Sequence, residues 1–448
     1  MTDSTHSDAS LYAPQTLEQW LAALERMHPK AMDLGLDRVR AVADRLELES
    51  KAVRFVVAGT NGKGSTCAML ESILLAAGYR VGMYTSPHLI HFNERARIHG
   101  QMVSDEQLVK AFEVINEARQ GVSLTYFEFT TLAVLWLFAQ ANLDAMVLEV
   151  GLGGRLDAVN IVDADCSIVT SIDIDHKEWL GDTREAIALE KAHIYRSGRP
   201  AICSDPSAPQ TLIDHAESIG ADLWLFGRDF NYSGDRQQWN FAGRDQRRNA
   251  LNYPALRGAN QLLNACGVLA ALAAVRDKLS VPQQAVRQGL LQAALPGRFQ
   301  ILPGQPLVVL DVAHNPHAAA VLEKNLAAMG FHPYTYAVFG MLADKDIEKV
   351  VYTLAPRIDR WYCATLSGAR GVTSLELKAR VTAALQAWAH DHPEHDEPLA
   401  EVLCFDSPHA AFFAARQAAA VDDRIVTFGS FMTVGDVLAR MDNKSRTE

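Results

Sequence analysis

The sequence predicts an α/β fold in two unequal lobes, each a series of strands alternating with helices. Three observations predict it. Residues 53–77, VRFVVAGTNGKGSTCAMLESILLAA, read as a strand, a glycine-rich turn and a helix. A second strand–helix series opens at residues 307–312, LVVLDV. Between the two, Leu295-Pro296-Gly297-Arg298-Phe299, with Pro303, Gly304 and Pro306 close behind, breaks all periodicity and marks a domain boundary. At 448 residues the chain has room for about two or three domains, each large enough for its own core.

The first of these stretches organises the rest. Residues 53–58 are a β-branched apolar run. Gly59-Thr60-Asn61-Gly62-Lys63-Gly64-Ser65 is the turn, and from Ser65 on Met69, Leu70, Ile73, Leu74 and Ala77 recur at helical spacing. Strand, glycine turn and helix N-terminus together make a phosphate cradle: backbone N–H groups face inward, the helix dipole favours an anion, and Lys63 adds a positive charge. The spelling departs from the usual G-x-x-x-x-G-K-[ST] loop. Val57 stands where its first glycine would be, and Gly64 is inserted between Lys63 and Ser65. A lone glycine turn is most often just a turn. A lysine inside it and an apolar strand before it point instead to a nucleoside triphosphate.

Composition narrows the class. Hydrophobic content of 49% and charged content of 21% are ordinary for a globular protein. A net charge of −11 argues against a nucleic-acid partner, which calls for a basic face. The most apolar run, 132–138, soon meets Gln140, Asn142 and Asp144, so no membrane span is expected. The first ten residues lack the basic and apolar regions of a signal peptide and read as a flexible tail, taken as 1–15. The six cysteines (67, 166, 203, 266, 363, 404) form no C-x-x-C pair, which fits reduced thiols in the cytoplasm.

Residues 16–27 are predicted helical, with Leu17, Trp20, Leu21 and Leu24 on one face. A loop with one acid, Asp33, comes next at 28–36, then a helix at 37–46. A strand at 81–84 runs into Thr85-Ser86-Pro87-His88-Leu89, where Pro87 halts pairing. Ser86 is thus at a strand's carboxyl end, where open α/β sheets bind ligands. Residues 124–129, LTYFEF, carry Glu128 amid aromatics ahead of an apolar helix at 129–141. The buried strand 146–150, MVLEV, holds Glu149, which needs a cationic partner or a metal. After the turn 151–157 come a strand at 166–172, ending in Asp173-Ile174-Asp175-His176, and a helix at 185–193 with Glu190 and Lys191. Residues 227–254 read as short strands and hairpins; 260–278 and 282–293 read as helices. Beyond the boundary, a helix at 317–329 and strands at 334–339, 361–364 and 424–428 complete a Rossmann-like series. It has no G-x-G-x-x-G, so a dinucleotide is not expected. The His- and acid-rich segment 389–398 is read as a solvated loop rather than a metal site.

Seven segments, in this order, resemble the folylpolyglutamate synthases of the Mur-ligase-like, ADP-forming amide ligases, and within them the bacterial bifunctional branch that also makes dihydrofolate. They are the 59–65 turn, 85–89, 148–158 (LEVGLGGRLDA), Asp175-His176, Glu190-Lys191-Ala192, 296–299 and 311–316 (DVAHNP). The likeness runs from about residue 16 to 436. It implies an N-terminal phosphate-loop nucleotide-binding lobe with the pterin site over 16–296, and a smaller C-terminal Rossmann-like ligase lobe over 297–448. It also implies a reaction: ATP phosphorylates a carboxylate of dihydropteroate or of a folate, and the amine of L-glutamate attacks the acyl phosphate. ADP and phosphate leave and an amide remains. The implied partners are these small molecules alone, for a monomeric cytoplasmic enzyme.

The same resemblance assigns residues. Thr60, Asn61, Gly62, Lys63, Gly64 and Ser65 hold the triphosphate, with Lys63 neutralising the transferred phosphoryl group. Asn260, Arg298 and Asp311 lie at the nucleotide. Ser86, Glu149 and His176 bind Mg²⁺; the first two are hard oxygen ligands, and the imidazole is the less typical one. Lys191 becomes carbamylated, because a free ammonium there repels the metal. Met32, Asp33, Leu34, Thr125, Tyr126, Phe127, Glu128, Leu156, Asp157 and Ala158 match the dihydropteroate-binding segments. Asp33 suits the pterin's amino edge and Phe127 suits stacking, although Tyr126 and Phe127 are equally compatible with plain core. His314 lines the glutamate site as a cation or donor for a carboxylate. Two rival classes stand beside this reading: a superfamily ligase acting on a cell-wall precursor, and a nucleotide switch or transport ATPase without ligase chemistry. The extra Gly64 and the Pro87-His88-Leu89 segment favour the folate branch.

Overall fold

The computed structural model describes residues 14–30, 32–235, 237–394 and 398–445. The expected N-terminal tail lies almost wholly outside the described residues, as does part of 389–398. Of the latter, Ala389 to Asp391 complete the helix Ser374–Asp391 rather than a loop, because the helix that Thr373 caps runs on to His392.

The larger sheet comprises β1 (Val53–Ala58), β2 (Val81–Tyr84), β3 (Ala96–Ile98), β4 (Gln101–Met102), β5 (Ala145–Glu149), β6 (Cys166–Val169), β7 (Pro200–Cys203) and β8 (Asp222–Leu225). Their order is β4-β3-β2-β5-β1-β6-β7-β8. All pair in parallel except β3 and β4, which turn back as an antiparallel edge. β1 lies inside because only Arg54 of its six residues is not fully buried. Its alternate side chains feed two cores. Val53, Phe55 and Val57 pack with the helices Lys63–Ala76 and Gln261–Ala274, while Val56 and Ala58 pack with the helix Tyr126–Gln140. Burial on both faces is what a parallel strand needs, and it explains the unbroken apolar run.

Three short antiparallel strands, β9 (Asn231–Gly234), β10 (Trp239–Ala242) and β11 (Arg247–Leu251), occupy the stretch read as hairpins. The second large sheet holds β12 (Gln300–Leu302), β13 (Leu307–Leu310), β14 (Thr335–Phe339), β15 (Arg360–Ala364), β16 (Glu401–Phe405) and β17 (Arg424–Phe428), in the order β12-β13-β17-β14-β15-β16. Only β12 is antiparallel to its neighbour.

Several elements differ from expectation. The phosphate-loop helix begins at Lys63 rather than Ser65, since Gly62 can take the cap position. The apolar helix begins at Tyr126 rather than Phe129, because Thr125 and Glu128 form a capping box. The second helix stops at Ala43. The helix Asp105–Ala118 is additional to the predicted elements, although Ser104 and Gln107 spell its capping box. β7, β8 and β16 are also additional to the predicted elements.

The strand order sets the site. The carboxyl ends of β2, β5, β1 and β6 bring Ser86, Glu149, the 59–64 turn and residues 170–176 to one edge. The carboxyl ends of β13, β17 and β14 bring 311–315, 429–432 and 340–345 to the facing edge.

One contact tests the packing beneath the phosphate loop. The helix Gln283–Gln292 crosses the helix Lys63–Ala76 at Gly289, where an added Cβ would fall 2.4 Å from the Ile73 Cα and 2.6 Å from its nitrogen. Backbone cannot step aside as a side chain does. Gly289→Ala is therefore expected to cost about 1–3 kcal/mol, read as a lower urea midpoint at unchanged slope; an unchanged midpoint would contradict this packing.

Candidate active site

The turn after β1 is tied down before any ligand arrives. Gly62 sits at φ 90°, a left-handed conformation natural to glycine, and a Cβ there would meet the Asn264 Oδ1 at 2.6 Å. The Thr60 amide donates to the Ser171 carbonyl (2.7 Å), the Asn61 amide to the Ser171 hydroxyl (3.1 Å), and the Thr60 hydroxyl to the Asp173 carbonyl (3.0 Å). Lys63 Nζ donates back to the carbonyls of Gly59 (3.0 Å) and Thr60 (3.4 Å), and among the described residues no carboxylate pairs with it. The inserted Gly64 has a spatial reason. A Cβ on it would come within 3.2 Å of the Leu295 Cδ2, with Arg298 Nη2 and Glu149 Oε2 at contact distance beyond it.

Both lobes line one cavity of about 590 Å³. Of the residues expected at the site, all but Ser65, Asn260 and Asp311 stand on its wall. Those three sit just behind it. The Ser65 hydroxyl accepts from Gln261 Nε2 at 3.3 Å, and Asn260 precedes that glutamine at the helix start. The half-buried Asp311 carboxylate accepts the amides of Phe299 and Ala313, each at 2.8 Å, with Arg298 as its nearby cation. Arg298 itself is half-buried with its guanidinium 5.3 Å over the Phe431 ring.

At the phosphate end, Glu149 is buried and its Oε2 accepts the Ser86 amide at 3.1 Å. No ion pair to it occurs among the described residues; burial raises its pKa while the field of Lys63 lowers it. His176 opens a short helix at φ 52°, and its Nε2 lies 3.5 Å from Lys345 Nζ. Burial, then Lys345, pulls its pKa down. Lys191 is buried, and desolvation followed by Lys63 brings its pKa down to about 7. Among the described residues no three His, Cys, Asp or Glu converge as a metal cluster. One carboxylate, one hydroxyl and one imidazole do not make a closed zinc site. They do suit a hard divalent ion that fills its remaining positions with water and phosphate oxygens.

Across the cleft the lobes meet at Asp175. Its Oδ1 is 2.7 Å from Lys345 Nζ, its Oδ2 accepts from Asn315 Nδ2 at 3.0 Å, and His314 Nε2 stands 3.9 Å away. Asn61 Nδ2 reaches His317 Nδ1 at 2.8 Å. Asp175 is held well below the ordinary carboxylate range by Lys345 and the two histidines against its burial. His314 stands on the cavity wall. Its Nδ1 lies 2.8 Å from the Val312 carbonyl, which only a protonated Nδ1 can approach, and burial beside Lys345 pushes its pKa down to about 4. It is therefore a neutral ring with an accepting Nε2, not a cation.

The other end is aromatic and acidic. The Phe127 ring lies over Gly151 and stacks on Tyr84 with centroids 6.1 Å apart. Asp33 is gripped by Arg38 Nη1 (2.8 Å) and His28 Nε2 (3.2 Å), and the same Arg38 reaches Glu128 Oε1 at 3.0 Å. Glu128 Oε2 also accepts the Thr125 amide. Asp157 accepts the amides of Leu152 and Val159, and burial raises its pKa to about 6. Met32, Leu34, Leu156 and Ala158 complete the wall. Sequence reasoning missed Arg38, His88, Arg95 and Lys345. His88 lies in the 85–89 segment but has no role assigned there; Arg95 and Lys345 lie in no turn or run that marks them, and Arg38 reaches the cleft through Asp33 and Glu128.

Two domain families match the chain: the Mur ligase middle domain over residues 57–272 and the Mur ligase glutamate ligase domain over 297–431. The chain is 46% identical over 431 residues to the dihydrofolate synthase/folylpolyglutamate synthase of Escherichia coli (strain K12), covering 96% of each. A solved structure of E. coli FolC in complex with DHPP and ADP superposes with a TM-score of 0.89 at 45% identity, covering 97% of this chain and 100% of that one. A bifunctional folylpolyglutamate synthase/dihydrofolate synthase solved with Mn, AMPPNP and L-glutamate gives 0.85 at 43%, covering 96% and 98%. On these matches the chain belongs to the dihydrofolate synthase/folylpolyglutamate synthase family.

Proposed function

We infer that this chain is an ADP-forming ligase that joins L-glutamate to dihydropteroate, giving dihydrofolate, and to the terminal carboxylate of folates. The observation that carries this is the single cavity that runs from the Lys63 turn to the Asp33–Phe127 pocket, walled by both lobes. An activated acid formed there is enclosed and can meet an amine before water. The solved relatives bind ADP, an ATP analogue with Mn, L-glutamate and DHPP, and the same ligand classes suit this cleft. We divide the chain as a nucleotide and pterin lobe over 16–296 and a ligase lobe over 297–448, and read it as a cytoplasmic monomer of folate and one-carbon metabolism. No described helix is long and apolar enough to cross a membrane.

The residues divide the work. Amides of Thr60 to Ser65 and the helix start receive the phosphates, and Lys63 and Arg298 offset the charge on the phosphoryl group in flight. Asn260 and Asp311 stand at the nucleoside side. Asp33 accepts from the pterin's amino edge, and Phe127 gives it a face to stack on. Ser86, Glu149 and His176 would hold Mg²⁺, which supplies charge neutralisation between phosphate oxygens when bound. Lys191 is buried with a pKa near neutrality, so part of it is an uncharged amine that can add CO₂ and release a proton. The product is an oxygen-bearing anion where an ammonium would repel the metal. His314, neutral with an accepting Nε2, can take the proton that the glutamate amine sheds on attack.

Three outcomes test this reading. ADP release measured with dihydropteroate, with L-glutamate and with both should appear only with the pair; release indifferent to the pair returns the chain to the ATPase class. Lys191→Ala at saturating Mg²⁺ should lose about 10–100-fold in turnover, and native mass spectrometry of the unaltered chain should show one added CO₂; unchanged turnover refutes the carbamate. Lys345→Met strands the buried Asp175 charge and should cost about 3 kcal/mol in urea unfolding, part of which Asp175→Asn in the same chain restores. Additive losses would mean that the two residues do not hold the lobes together. The Asp175 contribution is present at neutral pH and fades only as pH falls through its depressed pKa.

A further inference from the structure

We propose that Arg95 is the residue that binds the carboxylate of the acceptor acid, a substrate contact additional to those of the proposed function and resting on the ligase reading. Arg95 stands on the cavity wall between its two ends. Its guanidinium lies 5.6 Å over the Tyr126 ring on the pterin side and 5.4 Å over Phe92. On the other side its field reaches Glu149, beside the phosphate turn. An acid with its rings on Phe127 and its carboxylate toward Lys63 has to pass it.

The side chain is fixed, and its charge is left over. Nε donates to the His88 Nδ1 at 2.9 Å, and the guanidinium carbon is packed over the two rings. Among the described residues no carboxylate pairs with it, whereas Arg38 and Arg97, in the same lobe, each pair with a buried acid. Among the described residues neither Nη group has a protein acceptor at hydrogen-bond distance, so the fork faces the cavity with Nε anchored on His88. A planar carboxylate is the partner that such a fork fits bidentately. A cation kept unpaired in a half-buried wall is costly unless a ligand completes it.

The experiment compares two ligands that differ in one charge. Calorimetric titration of the full chain, with Mg²⁺ and ADP present, measures dihydropteroate and its neutral carboxamide against the unaltered protein, Arg95→Gln and Arg95→Lys. Arg95→Gln should bind dihydropteroate about 10–100-fold more weakly, with the carboxamide unaffected; Arg95→Lys should keep part of the preference for the acid. His88→Ala should weaken the acid and spare the carboxamide, since it only frees Nε. Equal loss of both ligands in Arg95→Gln, or no loss of either, overturns the assignment. If the unaltered protein binds neither pterin, the ligase reading fails and takes this inference with it.

Discussion

Asp175 is the contact on which the closed cleft depends. It sits on the loop after β6, and its buried charge is met from the other lobe, by Lys345 and Asn315. A carboxylate in such a place is expensive alone and tolerable when paired. The lobes consequently have a reason to meet here, and Asn61 with His317 and Ala259 with Asn325 add further contacts between them. That one registration has a chemical consequence: the Lys63 turn, Glu149, Lys191 and His314 come to share a single cavity. With the lobes apart, each lobe would hold only half a reaction.

The cavity also resolves an apparent conflict between charge and ligand. The chain carries a net charge of −11, yet Lys63, Arg95, Lys191, Arg298, Lys345 and Arg370 all face this one space. Local field, not net charge, decides what a cleft attracts. Cations crowded in a low-dielectric wall have lowered pKa values, and Lys191 shows the effect. Burial is the larger cause, and the neighbouring Lys63 adds to it.

Much of this is legible in the residues and some is not. The buried strand and glycine turn at 53–65 announce a phosphate site because short-range geometry alone makes one. The parallel strands show as apolar runs because both faces are covered. The two-lobed α/β order is readable from the break at 295–306. The sequence reading does not reach β7, although β2 is equally short and is read, and the helix after Ser104 has its capping box in plain sight. Lys345 and Arg95 cannot be found this way. Their meaning comes from partners 170 and 7 positions away, set by sheet order rather than by any local spelling. For His314, read from the sequence as a cation or donor, the partner of Nδ1 is the Val312 carbonyl, a contact that only the folded turn reveals.

The most direct measurement is a crystal structure of this chain with a non-hydrolysable ATP analogue and Mg²⁺. The account predicts the terminal phosphate in ion-pair reach of Lys63, the metal against Ser86 and Glu149, and Asp175 still paired with Lys345. Phosphates lying away from Lys63, or two lobes that share no cavity, would contradict it.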